Sequence, residues 1–316
     1  MRVLIFSLVF IVFGCEQEVE VDLTKGFEPE IVVSSFFSPQ DSIRVLVTLT
    51  QPAYSNRYRR VRVSSAWLED GFNQRHQLIV DEHFFDTDLL SSGIPDFTPG
   101  SAVTLVVESD ELDKLVTAVD TIPQPAYLRG FEIIPVKDEH FYYVGGTIIP
   151  PIMDDENDLY YEIILYSTER EPDDSNHHFY KYDYPFSHHY LITREDYYPG
   201  VMLIGAVGPP TLLWRSNKRE PFYIDFYYDS PSIHWNPIDG YRFPKHHLKI
   251  ELRTVSKTYF DYKTSLYRQQ YAVEGDFLYG LAPPVSVRSN VVGGTGIFAG
   301  FCKVDTVIPL EARSFK

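Results

Sequence analysis

The sequence predicts an all-β protein: an N-terminal Ig-like or fibronectin-like β-sandwich, then a larger β-rich domain, sandwich or barrel-like, with one packed helix. Three observations carry this. Apolar residues recur at alternate positions in many short runs, as half-buried strands require. Turn dipeptides, among them Asp70-Gly71 and Pro99-Gly100, separate those runs at short intervals. Aromatics make up 15% of the chain, with 23 Tyr and 22 Phe, and these side chains favour a pleated surface. The 316 residues suggest about two domains, and 44% hydrophobic content is enough to build buried cores.

Taken in order, residues 1–14 read as a secretory signal peptide. Arg2 is the only charge ahead of an apolar run from Val3 to Phe13, and Gly14 closes it. That run is too short for a bilayer span, which needs roughly 20 apolar residues. Residues 15–27 form an acidic tether carrying Glu16, Glu18, Glu20 and Asp22.

The first domain, 28–125, opens with Ile31-Val32-Val33, followed by the alternation of Ile43, Val45, Val47 and Leu49. Ala66-Trp67-Leu68 and His76 to Val80 flank Asp70-Gly71 and form a hairpin. Ala102 to Val107 and Val116 to Ile122 complete the set, and Pro123 and Pro125 end it.

The second domain, 126–316, begins with strands over Phe131–Val136 and Tyr142–Ile149, stopped by Pro150-Pro151. An acidic turn at Asp154 to Asp158 leads into Leu159–Tyr166. Residues 171–190 are polar and rich in His and Tyr, an excursion from the sheet. Strands follow over Phe222–Tyr228 and His246–Val255. Ser256 is a helix N-cap, and Tyr259, Tyr262 and Leu266 lie on one stripe of a helix over about 256–271. Gly293-Gly294 supplies a tight turn, Gly296 a bulge or close packing, and Ile297-Phe298 anchors the last strand. Asp120-Thr121-Ile122-Pro123 is echoed by Asp305-Thr306-Val307-Ile308-Pro309 at the two domain ends.

Charge narrows the partners. Removing residues 1–14 takes away Arg2 and no acid, so the formal charge of -16 becomes -17. Such a surface repels phosphates and no basic cluster offsets it, which excludes nucleic acid as a partner. Only two cysteines exist, so with Cys15 modified, Cys302 has no disulfide partner and reads as a small buried hydrophobe.

The Val12-Phe13-Gly14-Cys15 ending resembles a bacterial lipoprotein signal, in which Cys15 becomes the acylated N-terminus. Firm anchoring takes more than one acyl chain, and such lipoproteins carry several. The acids behind Cys15 resemble an export tag to the outer face of the outer membrane. Further along, Thr254-Val255-Ser256 through Tyr259, Tyr262, Leu266 and Gln269 to Phe277 carry a second likeness. So do Val287-Arg288-Ser289-Asn290-Val291 and Gly293-Gly294-Thr295-Gly296-Ile297-Phe298-Ala299-Gly300. Together they resemble the uncharacterised lipoprotein family of Bacteroidetes that accompanies TonB-dependent outer-membrane receptors. The resemblance implies a lipid-anchored, surface-exposed accessory or binding protein partnered with a TonB-dependent transporter in nutrient uptake. It carries over no catalytic residue and no cofactor.

No nucleophile motif, zinc-protease motif or Cys-x-x-Cys pair is present. Gly294-x-Gly296-x-x-Ala299 matches a dinucleotide fingerprint in letters alone, because no helix follows it. The acidic turn has Leu159 where a calcium loop needs Gly. His177, His178, His188 and His189 are weak metal candidates: folded as a hairpin, 177 would oppose 189 and 178 would oppose 188. Neighbouring strand residues point to opposite faces, leaving two imidazoles per face where zinc usually needs three or four ligands. The expectation is no metal, no cofactor and no catalysis. Two other classes stand beside the accessory protein: a surface hydrolase of glycans or peptides using a carboxylate pair, and a structural envelope protein.

Overall fold

The computed structural model describes residues 27–52, 61–82, 87–91, 93–135, 141–152, 158–168, 180–181, 211–229, 234–236, 240–243, 246–279, 285–311 and 313–315. The protein is all-β with one helix among these residues. The first lobe holds β1 (Ile31–Phe37), β2 (Arg44–Leu49), β3 (Ser65–Glu69), β4 (Arg75–Glu82), β5 (Thr87–Ser91), β6 (Ala102–Ser109) and β7 (Lys114–Thr121). The second holds β8 (Tyr127–Pro135), β9 (Phe141–Ile149), β10 (Leu159–Thr168), β11 (Tyr180–Lys181), β12 (Leu212–Ser216) and β13 (Phe222–Asp229). It continues with β14 (His234–Asn236), β15 (Gly240–Phe243), β16 (His246–Val255), α1 (Lys257–Tyr279), β17 (Val291–Val292), β18 (Thr295–Leu310) and β19 (Arg313–Phe315). The helix is not long and apolar enough to cross a membrane.

The strands expected to form a sandwich run through one continuous ladder, in the order β11-β10-β16-β18-β1-β2-β5-β4-β3-β6-β7-β17, with β12 beside β10. This sheet curls into a half-barrel, and a three-stranded sheet β13-β9-β8 lies separately. Alternation puts Ile31, Val33 and Phe37 of β1, Val45 and Val47 of β2, and Val103, Leu105 and Val107 of β6 into one core. The predicted hairpin forms, with Glu69 opposite Arg75. Its turn is held by Asp70, whose Oδ1 accepts from the amides of Phe72 (2.9 Å) and Gln74 (2.8 Å). The positive φ of that turn falls on Asn73 rather than on Gly71.

The 16-residue strand β18 belongs to both lobes. Residues 295–300 pair in parallel with β1, from Val32↔Thr295 to Phe37↔Gly300. Residues 301–310 pair antiparallel with β16, from Val255↔Phe301 to His246↔Leu310. Phe298 and Cys302 fill the first core, while Val304 and Ile308 pack against the second. Parallel pairing of β1 demands a partner far along the chain, and here that partner is the penultimate strand. The boundary read near residue 125 separates β7 from β8, yet residues 291–300 return to the first lobe, where Val291 also pairs with Ala118.

Gly296 makes the parallel pairing possible. Its φ is +113°, and a Cβ there would overlap the Val33 carbonyl, reaching 2.9 Å from its carbon. Close approach, not a bulge, is the reason for this glycine. Asn290 fastens the seam between β7 and β18: its Nδ2 donates to Val119 O (3.1 Å) and Phe298 O (2.8 Å), and its Oδ1 accepts from Phe298 N (3.0 Å).

The helix starts where expected and extends further, to Tyr279. Ser256 Oγ accepts from the Tyr259 amide at 3.0 Å, a helix N-cap. Tyr259 packs at the junction with Leu213, Val255, Ile297, Ala299 and Phe301, and Phe36, Phe260, Tyr262 and Tyr267 widen the contact. Leu266, half-buried, lies outside that cluster.

Candidate functional site

Cys15 and the four histidines His177, His178, His188 and His189 lie outside the described residues, as do residues 153–157 of the acidic turn. Among the described residues no group of three or more His, Cys, Asp or Glu side chains could hold a metal ion. His246 and His247 are both buried at the start of β16. Cys302 is buried in β18, and burial pushes its thiol up to about 11.

The most concentrated chemistry lies where α1 covers the far face of β10, β16 and β18. On β10 the odd positions Tyr161, Ile163 and Leu165 enter the second core, so Glu162 points the other way, toward the helix. Register sets Glu162 opposite Arg253, and Arg253 opposite Lys303. One row on, Ile164 opposes Glu251 and Glu251 opposes Asp305. Alternation along β16 therefore presents Lys249, Glu251 and Arg253 on one face.

Glu162 is fully buried. Its Oε1 accepts from Lys263 Nζ at 2.8 Å and from Thr211 Oγ1 at 2.7 Å, and its Oε2 accepts from the Tyr259 hydroxyl. Arg253 Nη1 stands 3.7 Å from Oε2 and donates to the Tyr259 oxygen at 3.2 Å. The same guanidinium grips Glu251 through Nε (2.8 Å) and Nη2 (2.7 Å), and its plane sits 4.4 Å over the Phe301 ring. Lys249 extends the chain to Asp305 at 2.9 Å.

Burial alone would push the Glu162 carboxyl toward its neutral form. Lys263 and Arg253 outweigh that, and the net shift is downward. Burial likewise opposes the charges of Lys263 and Arg253, and their partners reverse it, so both are held more firmly cationic. The Tyr259 hydroxyl is shifted up, by burial and then by Glu162. Glu162 is thus a fixed anion surrounded by donors. It has no proton to give near neutral pH, and its geometry suits fastening helix to sheet. Buried ion networks of this kind fix one arrangement more than they add net stability.

A second buried carboxylate fastens the helix start. Asp120 Oδ2 accepts from Ser256 Oγ (2.5 Å) and from the Gly300 amide (2.8 Å), tying β7, α1 and β18 together.

Residues 16–306 match the domain of unknown function DUF4249. The chain belongs to this family. The DUF4249 match takes in both lobes, the Glu162 network and the Asp120 junction. No curated protein matches the sequence. Among solved structures, a DUF4785-family protein from Legionella pneumophila is similar at 10% identity with a TM-score of 0.24. The match covers 71% of the DUF4249 chain and about half, 52%, of that protein.

Sequence reasoning missed Glu162, Arg253, Lys263 and Asp120. Glu162 had a signal: it is the one charge in the apolar run Leu159–Tyr166, and a lone acid in a buried strand must find cations. The alternating Lys249, Glu251 and Arg253 were a second signal, marking a charged face inside a strongly apolar strand.

Proposed function

We propose that this DUF4249 chain is a lipid-anchored accessory protein of the bacterial outer membrane that binds cargo for a TonB-dependent transporter. The observation that carries the reading is the position of Cys15. It closes an apolar leader, precedes an acidic tether, and stands directly ahead of residue 16, where the family match begins. The burial and firm pairing of Glu162 support a scaffold role for the charges at the α1 junction rather than acid–base work. A surface hydrolase would need a carboxylate able to change protonation near neutral pH. The test is detergent phase partition and mass spectrometry of the native chain against Cys15→Ser. A lipid adduct on Cys15, lost together with membrane attachment in the variant, is expected. Unchanged partition of the variant overturns the anchor, and a membrane pull-down that recovers no barrel protein overturns the partnership.

A further inference from the structure

The outward face of the β13-β9-β8 sheet is unlike the rest of the surface. Its inner positions, Tyr142, Val144, Ile148, Phe222, Ile224 and Phe226, fill the second core. Its outer positions therefore face away, and register arranges them in rows: Arg129–Thr147–Tyr223, Glu132–Gly145–Asp225 and Ile134–Tyr143. Tyr127 opens the same face beside Ile149. Large side chains stand in solvent here: Tyr127 is 56% exposed, Tyr223 54% and Ile134 52%.

The centre of the face is Gly145. A Cβ there would collide with the Tyr223 phenol, 2.8 Å from Cζ, and would meet Tyr143 Cε1 at 3.4 Å. The bare backbone thus lets two tyrosine rings converge from neighbouring strands. The Tyr143 hydroxyl donates to Asp225 Oδ2. The other oxygen, Oδ1, is shut away from solvent with no hydrogen-bond partner. Asp225 therefore serves to position Tyr143, and Glu132, exposed in the same row, is the acid that faces solvent.

We infer that this face binds a neutral oligosaccharide, with the tyrosine rings stacking on sugar rings and the exposed Glu132 carboxylate accepting from sugar hydroxyls. Charge complementarity selects that class. Two carboxylates in the central row repel phosphates and carboxylates, as does the formal charge of -16. The neighbouring Arg129 disfavours a cation. An apolar segment would cover the rings but strand three charged groups without partners. A pyranose meets every requirement: an apolar C–H face for the rings, and edge hydroxyls that donate to the Glu132 carboxylate and accept from Arg129. Tyr127 and Tyr223 flank β9 on either side, two strand spacings or roughly 10 Å apart, so more than one sugar unit is engaged. The site names the cargo class for the binding role above, and it does not depend on the anchor.

The experiment is calorimetric titration of the full mature chain carrying Cys15→Ser with maltohexaose, cellohexaose, mannohexaose and xylohexaose. At least one is expected to bind. Tyr223→Ala and Glu132→Gln should each weaken that binding by on the order of tenfold or more, about 1.4 kcal/mol per decade. Thermal unfolding midpoints monitor folding, and Tyr127→Ala, at an exposed position, serves as the variant should either of the others fail to fold. Absence of binding to all four sugars at millimolar concentration overturns the inference. So does sugar binding that survives the substitutions in folded protein, or tetramethylammonium competing for the site. An unlipidated Cys15 would sink the anchored reading and leave these titrations intact.

Discussion

Asp120 and Ser256, 136 residues apart, share a hydrogen bond of 2.5 Å in a place where neither meets solvent freely. The serine caps the helix with the same oxygen that donates to the acid, and the acid also accepts from Gly300. Strand β7 of one lobe is thereby joined to the helix start of the other. Ser256→Ala removes both roles and should cost about 1–2 kcal/mol from the cap alone. A double-mutant cycle with Asp120→Ala should show coupling of about 0.5–3 kcal/mol, measured by urea unfolding; additivity would show that the contact does not link the lobes.

The same carboxyl makes stability depend on pH. Burial raises the Asp120 pKa above its ordinary 3.8, against the pull of Ser256 and Gly300. The folded protein then holds this proton more tightly than the unfolded chain. The contribution is complete below the ordinary value and is lost as pH rises through the folded one. Over that window the unfolding free energy of the parent should fall relative to Asp120→Asn. Parallel curves would refute the assignment.

Glu162 behaves in the opposite sense. Its folded pKa lies below the ordinary 4.5, so its contribution is present above that value and is lost as acid protonates the folded carboxyl. Glu162→Gln leaves Lys263 and Arg253 short of an anion in a buried site and should cost about 3–5 kcal/mol. Adding Lys263→Met should restore part of that loss, since a matched apolar replacement is often neutral. Chemical unfolding of the three proteins checks both statements.

Gly296→Ala should be more damaging than its size suggests. The new methyl meets the Val33 carbonyl at a φ of +113°, and relief requires β18 to move off β1. The expected loss is on the order of 3 kcal/mol or more, read from the urea midpoint. A shift within experimental error would mean the parallel pair is looser than described.

Cys302 should resist thiol reagents in the native protein at mildly alkaline pH, because it is buried and its thiol is shifted up to about 11. Full reactivity is expected after denaturation. Fast native labelling of a Cys15→Ser chain would contradict the packing of β18.

Much of this architecture was readable in the residues, and what escaped shares one cause. Alternation in Ile31–Phe37 reveals a half-buried strand and its buried face, but period two is silent about partners. The parallel pairing with Thr295–Gly300 was therefore invisible. Gly293 and Gly296 were legible as backbone requirements, while the carbonyl that Gly296 approaches was not. Asp70 announced a hairpin, and the extra residues that shifted the positive φ to Asn73 did not. The echoed Asp-Thr motifs turned out unlike: Asp120 is a buried junction, whereas Asp305 is exposed and paired with Lys249. Of the candidate site, Glu162 went unread although it is a solitary acid among apolar neighbours, and Lys263 is an ordinary helix lysine until tertiary packing lays it across that strand.

Strand β18 also dictates a timetable. One neighbour of β1, the strand β2, follows it directly, but the other is residues 295–300 of β18, so that edge of the first lobe stays unpaired until they have been synthesised. Closure of the first lobe is therefore a late event, set by the arrival of β18.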